Sequence, residues 1–417
     1  MAQILILTPQ LPYPPQQGTT LRNFNLIAGL ARLGHTLDLA AFEPARPESQ
    51  ATGVGLGSDV GSPLTRYCRS ITTVPAPTRT LARRARDTLL QSLPDMALRL
   101  ESLDMHRRVA DLLAARRYDV VQVEGIEMAP YAPVGRTQQG PDRPALVVFD
   151  DHNAEYVLQQ RAFLTDVHRP RRWLAAGYSV VQWQKLVHYE RRTCRAADRV
   201  VAVSETDCAA LQRLAPGLEV TVVPNGVDLD LYRPGATPPL TDLAAPALVF
   251  TGKMDYRPNI DAVLWFADEV LPLIRAGAPA AHFYVVGQQP HARLARLAGQ
   301  PGVTLTGRVP DVRPYMAGAS VYVVPLRIGG GTRLKVLEAM AMGLPIVSTR
   351  LGCDGFPFQD AAEVRFADDP PAFATAVLDL LADREQAARL GRAARAYVAA
   401  HYGWDAIVPR LARVYPR

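Results

Sequence analysis

Several stretches of this 417-residue chain place charged residues and glycines directly after short apolar runs. The most distinctive is VYVVPLRIGGGTRLKVLEAMAMGLPIVST, in which the glycines at 329–331 precede a predicted helix that carries Lys335 and Glu338. Backbone N–H groups at a helix start bind phosphate, and glycine lets the phosphate approach closely. The lysine adds positive charge, and a carboxylate can accept hydrogen bonds from two neighbouring hydroxyls, as on a ribose. The pattern indicates a nucleotide-phosphate site, with an ordinary glycine turn as the alternative.

A second stretch, VFTGKMDYRPN, ends an apolar run at Gly252 and continues with Lys253 and Arg257. Cations at the carboxyl end of a strand suit a diphosphate. Only three of the 46 basic residues are lysines, and two of those three lie in these two predicted ligand loops. This coincidence favours a diphosphate site over a chance placement.

A third stretch, VVFDDHNAEYVL, ends an apolar run in Asp150, Asp151 and His152. A histidine beside carboxylates can act as a base or orient a hydroxyl, and a purely structural histidine is the alternative. Metal binding by these three residues is disfavoured because adjacent residues of a strand point to opposite faces. We expect no metal. A fourth candidate is the turn that ends at Gly18, just before a helix with Arg22 in its first turn, which suits a phosphate or an acceptor sugar, with a plain turn as the alternative.

The elements that must position these residues follow the pattern of a parallel α/β sheet, in which ligands gather at the carboxyl ends of strands. Predicted strands of the first half cover residues 3–8, 36–42, 120–123, 145–149 and 200–203, with a helix over 21–33. Residues 45–77 are rich in Gly, Pro, Ser and Thr and are predicted to be irregular, whereas residues 78–117 are predicted to be helical.

The pattern restarts after a Pro-, Gly- and Asp-rich stretch at 224–241, which predicts a linker between two doubly wound domains. Predicted strands of the second half cover 247–250, 282–286, 303–306, 320–325 and 346–348, and predicted helices cover 259–274, 333–342, 371–402 and 404–415. We expect domains over 1–223 and 242–402, facing each other across a ligand cleft, and a terminal helix within 403–417 that packs back on the N-terminal domain.

Composition excludes several classes of protein. Hydrophobic residues make up 48% and charged residues 21%, which is typical of a globular chain and excludes a disordered or fibrous one. No run of eighteen apolar residues occurs, so no membrane-spanning helix is predicted. The N-terminus lacks the basic region of a secretory signal, and the four cysteines form no CxxC pair, so we expect a cytoplasmic protein with reduced thiols. Nucleic-acid binding is disfavoured by the balanced charge of 46 basic and 40 acidic residues.

Four arginines, at Arg79, Arg83, Arg84 and Arg86, cluster at the start of the predicted helical region. One interpretation is a solvated helix face. The other is a basic surface that rests on anionic lipid, which would place the protein peripherally at the inner face of the cell membrane.

The sequence resembles glycosyltransferase family 4, whose members have the two-Rossmann-domain GT-B fold. The resemblance runs from residue 3 to about residue 405 and rests on GTTLRNFNLIAGLARLGHTL, DDHNAEYVL, ADRVVAVSETD, VVPNGVDLDLY, GKMDYRPNIDAV, VTLTGRVPDVRPYM and GGGTRLKVLEAMAMGLPIVST. It implies that the N-terminal domain serves the acceptor and that the C-terminal domain binds a nucleotide sugar.

The resemblance also assigns roles residue by residue. Glu338 would hold the donor ribose, and Lys253 after Gly252 would bind the donor diphosphate. His152 would lie near the reaction centre, and Gly18 would approach the donor phosphate or the acceptor.

Other assignments are less direct. The loop of Gly307, Arg308 and Val309 would line the base through its backbone. The family's second basic residue falls at Pro258 in this chain, so Arg257 is assigned in its place.

The sequence departs from the family pattern at Gly330, where many members have a first glutamate that contacts the donor sugar. Sugar recognition is therefore expected to rest on backbone N–H groups of Gly330, Gly331 and Thr332, or to lie elsewhere. Arg333 or Lys335 could supply the second charge on the diphosphate.

The resemblance implies a hexosyltransferase that moves a sugar from a UDP- or GDP-sugar to a hydroxyl acceptor, with retention of configuration and with no further cofactor. A saccharide or lipid-linked acceptor in cell-surface polysaccharide or glycolipid synthesis is expected. A nucleotide-sugar epimerase and a non-catalytic sugar-nucleotide-binding protein are the alternatives.

Overall fold

The computed structural model describes residues 1–15, 17–43, 63–132, 145–167, 173–329 and 333–416. The chain divides into two compact units, an N-terminal unit of Met1–Pro224 with Ile407–Arg417 and a C-terminal unit of Asn225–Ala406. None of the helices formed by the described residues has the length and apolar character that a bilayer crossing requires.

The described residues of the N-terminal unit form a seven-stranded parallel sheet in the order β3-β2-β1-β4-β5-β6-β7. Its inner strands are apolar and buried on both faces, as parallel sheets require. The strands are β1 Gln3–Thr8, β2 Thr36–Glu43, β3 Cys68–Pro75, β4 Val120–Glu124, β5 Leu146–Asp151, β6 Arg199–Ala202 and β7 Val220–Val222.

Helices connect these strands. They are α1 Gly18–Arg32, α2 Leu81–Leu90, α3 Asp95–Leu98, α4 Leu103–Ala115, α5 Glu155–Val167, α6 Trp173–Ala196 and α7 Glu205–Leu214, with single 3-10 turns at Pro63–Arg66 and Ala129–Tyr131. The start of α7 shows how the sequence sets a boundary, because the Ser204 hydroxyl accepts a hydrogen bond from the Asp207 N–H at 3.1 Å.

The C-terminal unit is built on a six-stranded parallel sheet in the order β10-β9-β8-β11-β12-β13. The strands are β8 Ala247–Thr251, β9 His282–Val286, β10 Val303–Gly307, β11 Val321–Val324, β12 Ile346–Ser348 and β13 Arg365–Phe366. The helices are α8 Arg257–Trp265, a π turn at Phe266–Val270, α9 Leu271–Gly277, α10 Arg313–Ala317, α11 Leu334–Ala341, α12 Pro370–Ala382 and α13 Arg384–Tyr402, with 3-10 turns at Ala292–Leu297 and Leu351–Cys353. The last helix, α14 Trp404–Ala412, begins in this unit, and from Ile407 onward the chain belongs to the N-terminal unit.

The doubly wound α/β architecture predicted for both halves is confirmed, but the prediction of irregular structure for residues 45–77 is wrong in its described part. Residues 63–66 form a turn and β3 follows. This edge strand lacks an apolar run because its polar residues serve the neighbouring strand: Arg69 Nε and the Ser70 hydroxyl donate to Asp38 at 3.2 and 2.6 Å.

Three regions predicted as single helices are interrupted. Residues 78–117 form three helices, since Pro94 begins α3 and the Ser102 hydroxyl caps α4. The π turn at Phe266–Val270 interrupts the helix predicted for 259–274. In the region 371–402, Asp383 accepts a hydrogen bond from the Gln386 N–H at 2.8 Å and separates α12 from α13.

Candidate active site

A cluster of polar groups lies at the carboxyl end of β8 in the C-terminal unit. Lys335, in the first turn of α11, donates through Nζ to Asn259 Oδ1 at 2.9 Å. Asn259, near the start of α8, donates through Nδ2 to the carbonyl oxygen of Lys253 at 2.8 Å. Side chains from two helices therefore hold the loop that leaves β8, and Lys335 Nζ lies against that loop.

Glycines at two neighbouring strand ends permit this close approach. Gly252 follows β8, and a Cβ at this position would lie 2.7 Å from Asn259 Nδ2 and 2.8 Å from Lys335 Nζ. Gly287 follows β9, and a Cβ there would lie 1.7 Å from the carbonyl oxygen of Gly252. A side chain at either position would displace the cluster, so glycine at both strand ends permits the close packing of these groups.

The Lys335 ammonium has little countercharge around it. Its Nζ lies 4.0 Å from the centroid of the Phe250 ring, an attractive but weak cation–π contact. Burial and the neighbouring Arg333 guanidinium lower the pKa of Lys335 to about 7, although Glu338 acts in the opposite direction. A polyanion bound here would restore the ordinary charge of the lysine.

Glu338 lies one turn further along α11 and accepts a hydrogen bond from Tyr232. Burial raises the pKa of Glu338, while Tyr232 and the Lys335 charge lower it. One hydrogen bond from a phenol leaves the carboxylate with lone pairs for further hydroxyl donors. The geometry is therefore compatible with the predicted role of Glu338 on two vicinal hydroxyls.

The three other basic residues assigned to the diphosphate differ in exposure. Lys253 is exposed at the end of the β8 loop, and only its backbone carbonyl belongs to the hydrogen-bonded cluster. Arg257, at the start of α8, is half-buried, and Arg333 is 7% exposed beside Lys335. Lys335 and Arg333 are therefore the cations that the structure brings together.

The loop assigned to the base follows β10. Gly307 has a φ of +68°, the left-handed conformation that favours glycine. Arg308 is exposed, and Val309 packs half-buried against the core of the C-terminal unit. The predicted sugar-contacting residues Gly330, Gly331 and Thr332 lie outside the described residues.

A second polar cluster lies at the carboxyl ends of the strands of the N-terminal unit, where a buried ion pair forms its base. Arg22 of α1 is 2% exposed, and its Nη2 lies 2.7 Å from Asp150 Oδ2 at the end of β5. Arg22 Nη1 also donates to the carbonyl oxygen of Pro224 at 3.1 Å. Burial raises the pKa of Asp150, whereas the Arg22 charge lowers it.

His152 is held by a chain of hydrogen bonds that reaches the C-terminal segment. Its Nε2 lies 2.8 Å from Glu124 Oε2, and Glu124 Oε1 accepts from Gln122 Nε2 at 2.6 Å. The Tyr415 hydroxyl donates to Gln122 Oε1 at 2.5 Å. Glu124 and Asp150 raise the pKa of His152, although burial alone would lower it. The ring is thus oriented by Glu124, and its protonated form is favoured.

The spacing of Glu124, Asp150 and His152 raises the question of a metal, since one ligand atom of each lies within 4.8 Å of the others. The donor chemistry does not fit a metal well. The Arg22 guanidinium already supplies a cation to Asp150, and a second one would meet its repulsion.

A pocket of about 320 Å³ opens beside this cluster. Its lining is mostly polar, and it includes the two neighbours of Gly18 but not Gly18 itself, which is exposed at the first turn of α1. The lining residues are Pro9, Gln10, Gln17, Thr19, Arg99, Leu100, Gly125, Ile126, Glu127, Asp151, His152, Asn153 and Glu155.

Comparison with known proteins decides the family. The profile described as Glycosyltransferase Family 4 matches residues 17–231, and the profile described as Glycosyl transferases group 1 matches residues 245–383. The chain belongs to glycosyltransferase family 4. The family predicted from the sequence motifs is therefore confirmed.

Curated relatives of this family 4 chain are named as glycosyltransferases. The GDP-mannose-dependent alpha-(1-6)-phosphatidylinositol monomannoside mannosyltransferase of Mycobacterium tuberculosis is 29% identical over 251 residues, which cover 53% of this chain and 62% of the relative. D-inositol 3-phosphate glycosyltransferase 2 of Catenulispora acidiphila is 30% identical over 251 residues, which cover 55% of this chain and 58% of the relative. The matched region thus spans about six tenths of each relative.

Solved structures resemble the family 4 chain over nearly its whole length. Sucrose-phosphate synthase of Thermosynechococcus elongatus has a TM-score of 0.68 at 18% identity, and the match covers 99% of this chain and 98% of that one. Anabaena HepE in complex with UDP has a TM-score of 0.62 at 14% identity, with 99% of each chain covered. These likenesses confirm the predicted GT-B fold class.

The arginine cluster of this family 4 chain is partly neutralised. The Arg79 side chain is only 7% exposed, and its guanidinium contacts both Asp87 and Asp95 at 2.9 Å. Arg84 contacts Asp95 at 2.9 Å, and the remaining two arginines, Arg83 and Arg86, have side chains that are more than half exposed. Arg79 therefore cannot serve a lipid surface, and such a surface remains a prediction for the other three.

Sequence reasoning missed three residues that complete the two clusters. Asn259 and Tyr232 lie in recognised motifs, but no role was assigned to them, and their contacts cross to α11. Glu124 was missed because the predicted strand ended one residue earlier. The signal that identified Asp150 applies to Glu124 as well, since both are acidic residues at the end of a buried apolar strand and pair in register.

Proposed function

We propose that the protein transfers a sugar from a nucleotide-diphosphate sugar to a hydroxyl acceptor with retention of configuration. The observation that carries this proposal is the cluster of Lys335, Asn259 and Gly252 at the end of β8, with Glu338 one turn along the same helix. It combines a cation at the start of a helix with a carboxylate that has lone pairs for hydroxyl donors, and a nucleotide diphosphate needs both kinds of group.

Departure of the nucleoside diphosphate is the step that these cations would assist. Negative charge grows on the diphosphate as the sugar leaves, and fixed positive groups stabilise that charge without reorganisation. Lys335 and Arg333 would act from the buried side of the site, and Lys253 from the solvent side. Replacing Lys253 by alanine would then lower kcat about 10²- to 10³-fold.

In the N-terminal unit, His152 is the proposed substrate-contacting residue. Glu124 engages Nε2 of His152 and so orients the ring, which leaves Nδ1 for a hydrogen bond with a substrate hydroxyl. We propose that the acceptor binds in this unit, as the family resemblance implies.

The names of related proteins suggest which base and which sugar the donor carries, and we state both as a proposal. One relative is named for GDP-mannose, and one structural neighbour holds UDP. We propose a UDP- or GDP-hexose as donor, no further cofactor, and a saccharide or lipid-linked acceptor. A cytoplasmic location and a peripheral membrane contact remain predictions of the sequence.

Calorimetric titration with UDP, GDP and ADP tests the donor site. We expect one diphosphate to bind, and we expect Lys335→Met to weaken that binding at least tenfold at pH 7. Lys185→Met removes the same charge from α6 of the other unit and should leave the affinity unchanged. Equal affinity in all three proteins would contradict the assignment.

Product analysis by mass spectrometry, with and without added saccharide acceptors, then tests the reaction. A new glycoside that appears only with acceptor supports transfer. Conversion of the nucleotide sugar without acceptor would indicate an epimerase. Binding without any conversion would indicate a non-catalytic sugar-nucleotide-binding protein.

A further inference from the structure

The pocket beside His152 is rich in carboxyl groups. Asp151, which is 1% exposed, Glu127, which is 8% exposed, and Glu155 all line it. Among the described lining residues the basic groups are Arg99 and His152, and each already has an acidic partner. The pocket therefore offers hydrogen-bond acceptors in excess and lacks an uncommitted cation in the described part of its wall.

We propose that this pocket binds an uncharged glycosyl group of the acceptor and discriminates against a phosphorylated or carboxylated one. This inference rests on the proposed function, since it concerns the acceptor of that reaction. It adds the chemical class of the acceptor group, which neither the fold nor the family membership specifies.

The first support is the way in which the two basic groups are occupied. The Arg99 guanidinium pairs with Glu127, and His152 Nε2 lies 2.8 Å from Glu124. Each positive charge that faces the pocket is therefore offset by a paired carboxylate, so a phosphate gains less from it than from an uncompensated cation.

The second support is that the buried carboxyls of the pocket raise one another's pKa. Burial and the charges of Glu127 and Glu190 raise the pKa of Glu155 to about 7. Burial and the charge of Glu190 also raise the pKa of Asp151. The ionised forms of these carboxyls would also repel a phosphate dianion, whereas sugar hydroxyls donate to carboxylates and accept from protonated carboxyls.

The third support is the polar but uncharged remainder of the wall. Gln10, Gln17 and Asn153 supply amides, and Thr19 supplies a hydroxyl. The start of α1 lies at the same wall and contributes about half a positive charge, which is smaller than the charge of the three carboxyls when they are ionised. The balance favours a neutral polyol over an anion.

The experiment compares matched acceptors. Methyl hexosides and their 6-phosphates are offered with the donor identified by titration, and nucleoside diphosphate release and product mass are measured. We expect the neutral acceptor to be used at least tenfold better, as kcat/KM. Preference of the wild-type protein for the phosphorylated acceptor would overturn the inference while leaving the transferase proposal intact.

Two variants sharpen the comparison. Glu127→Gln frees the Arg99 guanidinium, and Glu155→Gln removes a carboxyl, so each should raise the relative use of the phosphorylated acceptor about tenfold. Glu205→Gln, an exposed carboxyl at the start of α7 in the same unit, is the control and should not change the ratio. An unchanged ratio in both pocket variants would also overturn the inference.

Saturation-transfer NMR covers the case in which no acceptor is turned over. Binding of the neutral hexoside, with weaker binding of its phosphate, supports the inference, whereas the reverse order, or no binding of either, rejects it. Absence of nucleotide binding in the preceding titration would instead reject the proposed function, so the two failures are distinguishable.

Discussion

The proton affinity of Lys335 gives the donor site a measurable signature. Its Nζ contacts an aromatic face and a neutral amide oxygen, and the pKa of Lys335 without a bound anion is about 7. A bound diphosphate supplies the missing countercharge and should return the pKa towards the ordinary value of about 10.4. Nucleotide binding above pH 7 should therefore take up one proton.

The uptake of this proton makes the nucleotide affinity depend on pH. Above pH 7 the lysine is mostly neutral before the nucleotide binds, so binding must also restore its proton. The affinity therefore falls as the pH rises. Between pH 7 and pH 9 the dissociation constant should rise about 50-fold, or about 2.3 kcal/mol, for a shift from about 7 to about 10.4. The phosphate groups contribute little over this range because their last pKa is near 6.

Isothermal titration calorimetry measures both quantities. Titrations at pH 7, 8 and 9 give the affinity, and buffers of different ionisation enthalpy at pH 8.5 give the number of protons taken up, which should be close to one. Lys335→Met mimics the neutral lysine, so its affinity should not change with pH and should lie below that of the wild type even at pH 9, where the bound lysine is still protonated.

Two results would refute this reasoning. The wild-type affinity could stay constant from pH 7 to 9, which would mean that the bound diphosphate does not contact Lys335. Alternatively, Lys335→Met could keep the full pH dependence, which would assign the titrating group elsewhere.

Three further predictions concern the network and the strand ends. Glu124→Gln should lower the pKa of His152 and move the acidic limb of the kcat–pH profile about one unit lower, and an unshifted profile would show that the pair has no role in turnover. Arg22→Met leaves Asp150 buried without its cation and should lower the free energy of unfolding by about 3–5 kcal/mol in urea titrations, whereas a loss below 1 kcal/mol would contradict a buried pair. Gly287→Ala should cost about 1–3 kcal/mol and weaken nucleotide binding, because its Cβ would overlap a carbonyl oxygen 1.7 Å away; wild-type affinity would contradict the proposed packing.

The strands of both sheets were largely predictable because parallel strands buried on two faces read as apolar runs. The edge strand β3 was not, since its Arg69 and Ser70 make polar contacts with Asp38 instead of packing into a core. The long helices α5 and α6 were also missed. Their Gln- and Arg-containing sequences show no clear apolar stripe, and packing against each other stabilises them.

The residue types of the candidate site were predictable, but their partners were not. Lys335 and His152 were identified because they follow strands, and this rule needs only local sequence. Asn259 lies 76 positions from Lys335, and Glu124 lies 28 positions from His152, so only the folded sheet brings each pair together. The pKa shifts arise from those partners and from burial, and neither can be read from one strand end.

The two clusters differ in the sign of the charge that they can accommodate, and this difference would keep the two substrates apart. The C-terminal unit presents Lys335, whose Nζ contacts an aromatic face and a neutral amide oxygen and gains positive charge when an anion binds. The pocket of the N-terminal unit presents Glu127 and Glu155, and its Arg99 is offset by Glu127, so an anion is bound less favourably there. A nucleotide diphosphate would thus be excluded from the proposed acceptor pocket by charge alone. Freeing Arg99 by Glu127→Gln should consequently make UDP or GDP a measurable competitor of the acceptor, whereas competition already present in the wild type would contradict this separation.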